Sequence, residues 1–206
     1  MNNIAFVDTE IQEGTGRILD IGSIRTGGAV YHSSSVADFI HFLQGARYIC
    51  GHNLIHHDLK YIHDAVQAAG ISGNVCLDTL YWSPLLFPMR PYHALLKDDK
   101  LQTEELNNPL NDAIKARELF MDEVEAFRKL SPAMQHIYYF LLNRQKEFSA
   151  FFDYLEYQPE GSAPETLIRE CFAARICEHA DLGRMVTEHP VELAYALAMI
   201  NTRSRI

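Results

Sequence analysis

Residues 4–10 read Ile4-Ala5-Phe6-Val7-Asp8-Thr9-Glu10, an apolar run that ends in three polar residues. An uninterrupted apolar run of this kind is typical of a strand that is buried on both faces. Because side chains alternate along a strand, Asp8 and Glu10 are predicted to share one face, and Thr9 to lie on the other. Two carboxylates at the end of a buried strand repel each other, and a divalent cation is the usual counter-charge. Taken alone, a D-x-E triplet is more often a plain strand end, so residues elsewhere in the chain must decide.

The composition favours a soluble globular protein. The 206 residues are 48% hydrophobic, which suffices for one buried domain with a helical appendage. No apolar run has the length of a membrane span and no signal peptide is recognisable, so a cytoplasmic protein without a membrane partner is predicted. The net charge of −9 argues against a broad basic surface that grips nucleic acid, but it allows a local groove. The cysteines form no C-x-x-C pair and are interpreted as free thiols rather than disulfides or zinc ligands.

The order of strand and helix patterns predicts an α/β fold. Three strands at residues 4–10, 17–24 and 29–32 are joined by short turns, as in an antiparallel meander. Two more strands, at 47–50 and 75–77, alternate with helices. The prediction is a mixed five-stranded sheet flanked by helices over residues 1–129. Residues 130–206 are predicted to form a helical C-terminal subdomain, with helices over 131–157, 165–177 and 190–200.

Two more carboxylates lie near predicted helix starts. Asp58 falls in the first turn of a helix over about residues 56–69, and Asp112 falls near the start of a helix over 110–129. A carboxylate in the first turn of a helix is also favoured by the helix dipole, and that is the structural explanation for Asp58. On the predicted layout, the segments that carry Asp58 and Asp112 can converge on the strand that carries Asp8.

At this point the sequence resembles the DEDD superfamily of 3′-to-5′ exonucleases, which has a ribonuclease-H-like fold. Four segments carry the resemblance in the order of the family motifs: residues 6–10 (FVDTE), 18–24 (ILDIGSI), 51–58 (GHNLIHHD) and 110–113 (LNDA). The third segment matches the motif variant with one additional residue between the asparagine and the aspartate. The resemblance covers about residues 1–125, and several motifs in order are far more specific than any one of them.

The resemblance implies a metal-dependent 3′-to-5′ exonuclease that holds two divalent ions, Mg²⁺ or Mn²⁺. The ligands it implies are Asp8, Glu10, Asp58 and Asp112, with Asp8 bridging both ions. Phosphodiester hydrolysis needs an activated water and a stabilised leaving oxygen, and two ions about 4 Å apart can supply both. Hard carboxylate oxygens without thiolates suit these two metals.

Contacts to the substrate are predicted at two places. The resemblance implies that His52, Asn53 and the backbone beside Thr9 face the terminal nucleotide. Arg90, Lys97 and Lys100 lie in the most basic stretch of an acidic chain and are predicted to contact phosphates, although a solvated loop explains them equally well. The predicted partner is nucleic acid, with DNA favoured over RNA.

The chain departs from the family at the general base. Relatives carry a histidine five residues before the last aspartate or a tyrosine four before it, and here those positions are Asn107 and Asn108. An amide does not accept a proton at physiological pH, so the base position looks empty. Three interpretations stay open: the metals act alone, another histidine such as His57 or His93 substitutes, or the domain is inert.

Two further interpretations concern the histidines and the end of the chain. His52, His56, His57 and His63 suggest a zinc site, but histidines at such positions are more often hydrogen-bonded structural residues. Residues 107–112 and 189–194 also resemble the N-terminal portion of bacterial proteins in which an exonuclease-like domain precedes a RecQ-type helicase. The chain stops without a closing element, so a longer protein that continues into a helicase is expected.

The sequence therefore carries two functional hypotheses. The first is an exonuclease that cuts DNA by two-metal hydrolysis with Asn107 at the base position. The second is a catalytically silent domain of the same fold that binds nucleic-acid ends or a partner protein. Four clustered carboxylates favour the enzyme, because a silent domain has no evident need for them.

Overall fold

The computed structural model describes residues 3–95, 108–161 and 164–202. The chain separates into two compact units, each discontinuous in sequence. The first unit comprises Met1–Leu80 and Ala94–Met121, and the second comprises Tyr81–His93 and Asp122–Ile206. The sequence predicted a single division between residues 129 and 130, whereas the chain passes between the units three times.

The first unit is built on a five-stranded mixed sheet, which confirms the predicted α/β class. Its strands are β1 (Ile4–Ile11), β2 (Ile18–Arg25), β3 (Val30–His32), β4 (Tyr48–Gly51) and β5 (Cys76–Asp78). They lie in the order β3-β2-β1-β4-β5. The β1–β2 and β2–β3 pairs are antiparallel, while β1–β4 and β4–β5 are parallel. The carboxyl ends of β1, β4 and β5 therefore meet at one edge of the sheet, where ligands commonly bind in α/β sheets.

The described helices include those that the sequence patterns predict, with some changed boundaries, one predicted helix divided in two and one further helix. They are α1 (Val36–Leu43), α2 (Leu59–Ala68), α3 (Thr79–Leu86), α4 (Pro109–Lys129), α5 (Pro132–Leu142), α6 (Ser149–Leu155), α7 (Pro164–Phe172), α8 (Leu182–Glu188) and α9 (Pro190–Thr202). None of the helices in the described ranges is long and apolar enough to cross a membrane.

Strand β1 is buried on both faces, as its apolar run predicts. One face, through Ala5 and Val7, belongs to a core that includes Phe39 of α1 and Ile62 of α2. On the opposite face, the Phe6 ring lies 5.9 Å from the ring of Phe120 in α4. By alternation, Asp8 and Glu10 lie on the face that α4 covers.

The start of α4 lies directly on Gly22 of β2. A Cβ atom at Gly22 would be 2.0 Å from the backbone nitrogen of Leu110 and 2.1 Å from the carbonyl carbon of Pro109. No side chain fits there, so the absence of a Cβ allows the helix to approach the sheet.

Gly22→Ala is therefore expected to destabilise the protein by roughly 1–3 kcal/mol, because a methyl group must displace the backbone of α4. Gly27→Ala is the matched control, because no atom lies within 4 Å of its added Cβ. Urea unfolding of both variants measures the effect. Equal stability of the two variants would contradict this contact.

The second unit has an aromatic core centred on Trp82 of α3. The Trp82 ring is stacked on Phe151 at 4.0 Å and meets Phe127 and Phe148 edge-on. Residues 81–93 belong to this unit because of such contacts, which join positions far apart in sequence. Residues 131–157 were predicted as one helix, but the chain turns at 143–148 between α5 and α6. Helix α8 lies outside the helices that the sequence patterns predict.

Candidate functional site

The first part of the candidate site is the end of β1 together with the start of α4. Asp8 pairs with Gly22 across the β1–β2 ladder, and paired residues of antiparallel strands point to the same face. Because α4 begins on Gly22, its first turn, which includes Asp112, lies beside the Asp8 position. Glu10 lies on the same face, opposite Asp20 of β2. The backbone of the motif that carries Asp112 therefore lies next to the backbone of the motif that carries Asp8 and Glu10.

The second part is Asp58, whose carboxylate is held by Thr9. Asp58 Oδ1 accepts hydrogen bonds from the Thr9 backbone N–H at 2.9 Å and from the Thr9 hydroxyl at 2.6 Å. Asp58 occupies the N-cap position of α2, which starts three residues later than predicted, but its side chain makes no capping hydrogen bond. Helix capping therefore does not explain this residue. Thr9, predicted to present its backbone to a nucleotide, uses its N–H to bind Asp58.

Burial controls the ionisation of Asp58, which is 1% exposed. Desolvation raises the pKa of Asp58, whereas the Thr9 hydrogen bonds and the nearby His57 oppose the rise. His57 Nδ1 lies 3.7 Å from Asp58 Oδ1, and the His57 side chain is 55% exposed. A buried carboxylate with a raised pKa beside an accessible edge of the sheet is typical of a functional site.

A third group, Asp78, caps the start of α3 and also binds the loop that follows β4. Its Oδ1 accepts from the backbone N–H groups of Asn53 at 2.8 Å and Leu80 at 3.0 Å, and its Oδ2 accepts from that of Ile55 at 2.9 Å. Asn53 itself has a φ of 64°, a left-handed conformation that asparagine tolerates better than most residues. Asp78 thus holds the loop that follows β4, and its place at the end of a strand parallel to β4 was the signal in the sequence.

Thr79, the first residue of α3, contacts the same loop. Its hydroxyl donates to the Gly51 carbonyl at 3.3 Å and lies 2.8 Å from His52 Nδ1. Thr79 is fully buried. Asp78 and Thr79 together determine the position of His52 and Asn53, the two predicted substrate contacts in this loop.

The two buried aspartates are expected to respond oppositely to replacement by asparagine. Burial raises the pKa of both above the ordinary 3.8. As pH rises above 3.8, these two carboxyl groups therefore stay protonated longer in the native state than in the unfolded state. The free energy of unfolding falls as pH rises from 3.8 to the raised native pKa values. Asp58→Asn keeps an oxygen for both Thr9 bonds and removes the buried charge, so a gain on the order of 1 kcal/mol is expected at pH 7.

Asp78→Asn is the contrasting case, because both carboxylate oxygens accept backbone N–H groups. An amide must turn its NH₂ group towards one of those donors, which costs roughly 1–3 kcal/mol. Urea unfolding between pH 4 and pH 8 measures both variants. A stabilised Asp78→Asn protein would contradict the assigned hydrogen bonds.

Asn108, one of the two asparagines at the positions expected for a general base, has a structural role at the start of α4. Asn108 Oδ1 accepts from the Leu110 N–H at 3.0 Å and from the Asn111 N–H at 3.4 Å, as an N-cap residue does. Asn107, Lys97 and Lys100 lie outside the residues that the structure describes.

Two other predicted residues belong to the second unit. The Arg90 guanidinium lies 4.0 Å from the centroid of the Phe87 ring. His93 Nδ1 lies 2.8 Å from the Ser83 hydroxyl, and burial and the nearby Arg90 lower the pKa of His93.

The predicted metal ligands are not drawn together into a coordination shell. Among the described residues, no three His, Cys, Asp or Glu side chains are grouped so that they could hold a metal ion, and this applies to the histidines of the zinc interpretation as well. The donor chemistry of Asp8, Glu10, Asp58 and Asp112 nevertheless fits Mg²⁺ or Mn²⁺, because all donors are hard oxygens.

Comparison of the chain with protein-family models, with curated proteins and with solved structures found no match.

Proposed function

We propose that the protein is a metal-dependent 3′-to-5′ exonuclease with a ribonuclease-H-like first unit, and that DNA is favoured over RNA as its substrate. One observation carries the proposal. The first turn of α4 lies on Gly22 of β2, which pairs with Asp8 of β1. Asp58 Oδ1 accepts a hydrogen bond from Thr9, which is also in β1. Three segments with acidic residues therefore approach the carboxyl end of β1, where the three family motifs would have to meet.

In this proposal four carboxylates bind the metal ions, and neighbouring residues orient them or position the substrate. Asp8, Glu10, Asp58 and Asp112 would hold two divalent ions, which when bound supply water activation and stabilisation of the leaving oxygen. Thr9 orients Asp58 through two hydrogen bonds. Asp78 and Thr79 position His52 and Asn53 for the terminal nucleotide. Arg90, Lys97 and Lys100 are proposed to contact phosphates.

The two positions at which a general base is expected carry Asn107 and Asn108. Asn108 caps α4, so its side chain is explained by the helix start. Asn107 would occupy the base position of histidine-type relatives, and its amide does not accept a proton. Catalysis then depends on the metals alone or on another histidine, and His57 is the one beside a proposed ligand.

The test is digestion of 3′-labelled and 5′-labelled single- and double-stranded DNA and RNA with Mg²⁺, with Mn²⁺ and with EDTA. The proposal predicts loss of nucleotides from the 3′ end with either metal and none with EDTA. Asp58→Asn protein, purified in parallel, reveals any contaminating nuclease, because this variant should fold but not cut.

Binding of nucleic-acid ends without cutting, at any metal concentration, would favour the silent-domain hypothesis. Cutting that starts at the 5′ end would refute the proposed polarity. A covalent continuation into a helicase remains a proposal from the resemblance of residues 107–112 and 189–194.

A further inference from the structure

The second unit contains a pocket of about 510 Å³ among the end of α3, the segment that follows it, α5 and α9. This volume lies in the range of small-molecule binding sites. Every residue that lines the pocket belongs to the second unit, and none of them is a proposed metal ligand. The candidate metal site therefore does not account for the pocket.

Most of the pocket wall is apolar. Its apolar residues include Leu86, Phe87, Leu130 and Ala198. Two hydroxyls in the wall already donate to backbone carbonyls, that of Tyr138 to Leu85 at 3.4 Å and that of Thr202 to Met199 at 2.7 Å. The side chains of the wall therefore offer a ligand much apolar surface and few hydrogen-bond donors.

Of the described residues that line the pocket, Arg90 alone is charged. Its guanidinium lies 4.0 Å from the centroid of the Phe87 ring, and it forms no ion pair with a carboxylate of the described ranges. Stacking covers one face of the guanidinium, whereas its N–H donors lie in the plane and can bind an anion. His93 adds no second charge at pH 8, because burial and Arg90 both lower its pKa.

We propose that this pocket binds a small amphipathic anion, an alkyl or aryl carboxylate whose apolar body fills the pocket and whose carboxylate binds Arg90. A carboxylate matches the planar fork of an arginine. Nucleotides and peptides also carry anions, but their base edges and peptide groups need more hydrogen-bond partners than the side chains of this wall supply. The net charge of −9 opposes approach to an anionic membrane, so a dissolved acid is favoured over a lipid in a bilayer.

The pocket can be tested without metal or nucleic acid, so the outcome does not depend on the proposed exonuclease activity. Nucleic acid is left out because Arg90 is also a proposed phosphate contact. The probe is N-phenyl-1-naphthylamine, a neutral apolar dye whose fluorescence rises in apolar surroundings. Decanoate and decanol, which share an alkyl chain and differ in charge, are titrated as competitors at pH 8. Both should displace the dye from the parent protein.

Arg90→Gln should weaken the binding of decanoate by roughly three- to tenfold and leave that of decanol unchanged. Arg144→Gln is the matched control, because Arg144 is an exposed arginine of the second unit that does not line the pocket. This control should bind both ligands as the parent does.

Two variants that fill the pocket locate the binding site. Ala198→Leu and Asn201→Phe each place a larger apolar side chain in the wall, and each should weaken both ligands by roughly tenfold. Ala198 is buried, so the half-buried Asn201 provides a second position that tolerates a larger side chain more easily. Melting curves establish that each variant is folded.

Several results would overturn the proposal. These are failure of the parent to bind the dye or decanoate, an Arg90→Gln variant that binds decanoate as tightly as the parent, and folded pocket-filling variants that bind normally. Displacement of the dye by adenosine 5′-monophosphate at lower concentrations than decanoate would assign the pocket to nucleotides instead. Sedimentation of the protein with phosphatidylglycerol vesicles, together with no binding of free decanoate, would assign it to a membrane lipid.

Discussion

Asp8→Ala is expected to abolish metal-dependent hydrolysis, by about 10³-fold or more, while the protein remains folded. Asp8 lies on the face of β1 that α4 covers, opposite the Gly22 on which α4 begins. In the proposed site Asp8 would be a ligand of both ions, so its removal would affect both water activation and stabilisation of the leaving oxygen. It also removes one of four like charges, so the metal-free variant should melt at the same temperature as the parent or higher.

Metal binding gives this prediction a readout besides activity. Mn²⁺ at 100 times its dissociation constant should stabilise the parent by about 2.7 kcal/mol and the Asp8→Ala variant by almost nothing. Thermal melts with and without Mn²⁺ measure both effects.

Asp20→Asn is the matched control, because Asp20 is a nearby carboxylate on the same face but is not a proposed ligand. It pairs with Glu10 across the sheet, and its Oδ2 lies 2.7 Å from His32 Nε2. We expect this variant to keep the stabilisation by Mn²⁺. If Mn²⁺ stabilises Asp8→Ala protein as much as the parent, the assigned metal site is wrong.

Asn107→His is expected to raise the rate of hydrolysis, by anything up to the roughly 10²- to 10⁴-fold that a positioned general base contributes. Asn107 lies five residues before Asp112, the position at which the histidine-type exonucleases that the sequence resembles carry their base. The new imidazole, with a pKa near about 6.5, should add an acidic limb to the pH–rate profile that the parent lacks.

Asn108→His separates this effect from the mere addition of a histidine. Asn108 caps α4 through Leu110, so its replacement should cost about 1 kcal/mol of stability and give no gain in rate. If the parent already shows the acidic limb, loss of that limb in His57→Ala or His93→Ala protein would identify the base in use. A metal-loaded Asn107→His protein that stays inactive would favour the silent-domain hypothesis.

Local patterns in the sequence were sufficient for the elements that depend on near neighbours. The apolar run before Asp8 predicts a strand buried on both faces, and Ile4 to Val7 have no exposed surface. Serine is a favoured residue at a helix N-cap, and the hydroxyls of Ser35 and Ser131 accept the Asp38 and Met134 N–H groups at 3.3 Å. Alternation along β1 and the periodicity of α4 require no knowledge of distant residues, because they follow from the geometry of one element.

The roles of Asp58, Asp78 and Trp82 required the tertiary structure. Asp58 was explained by a helix dipole, yet its carboxylate accepts a hydrogen bond from Thr9, 49 residues away. Asp78 caps α3 through Leu80 and also accepts a hydrogen bond from Asn53, 25 residues away. These contacts exist because β1, β4 and β5 are parallel neighbours whose ends meet. Trp82 likewise draws residues 81–93 into the second unit by packing on Phe151. The sequence alone determined which residues carry charge and which strands are buried. Strand order and long-range packing decided which buried charged groups and aromatic rings contact each other. Periodicity could not predict those contacts, because it describes one element at a time.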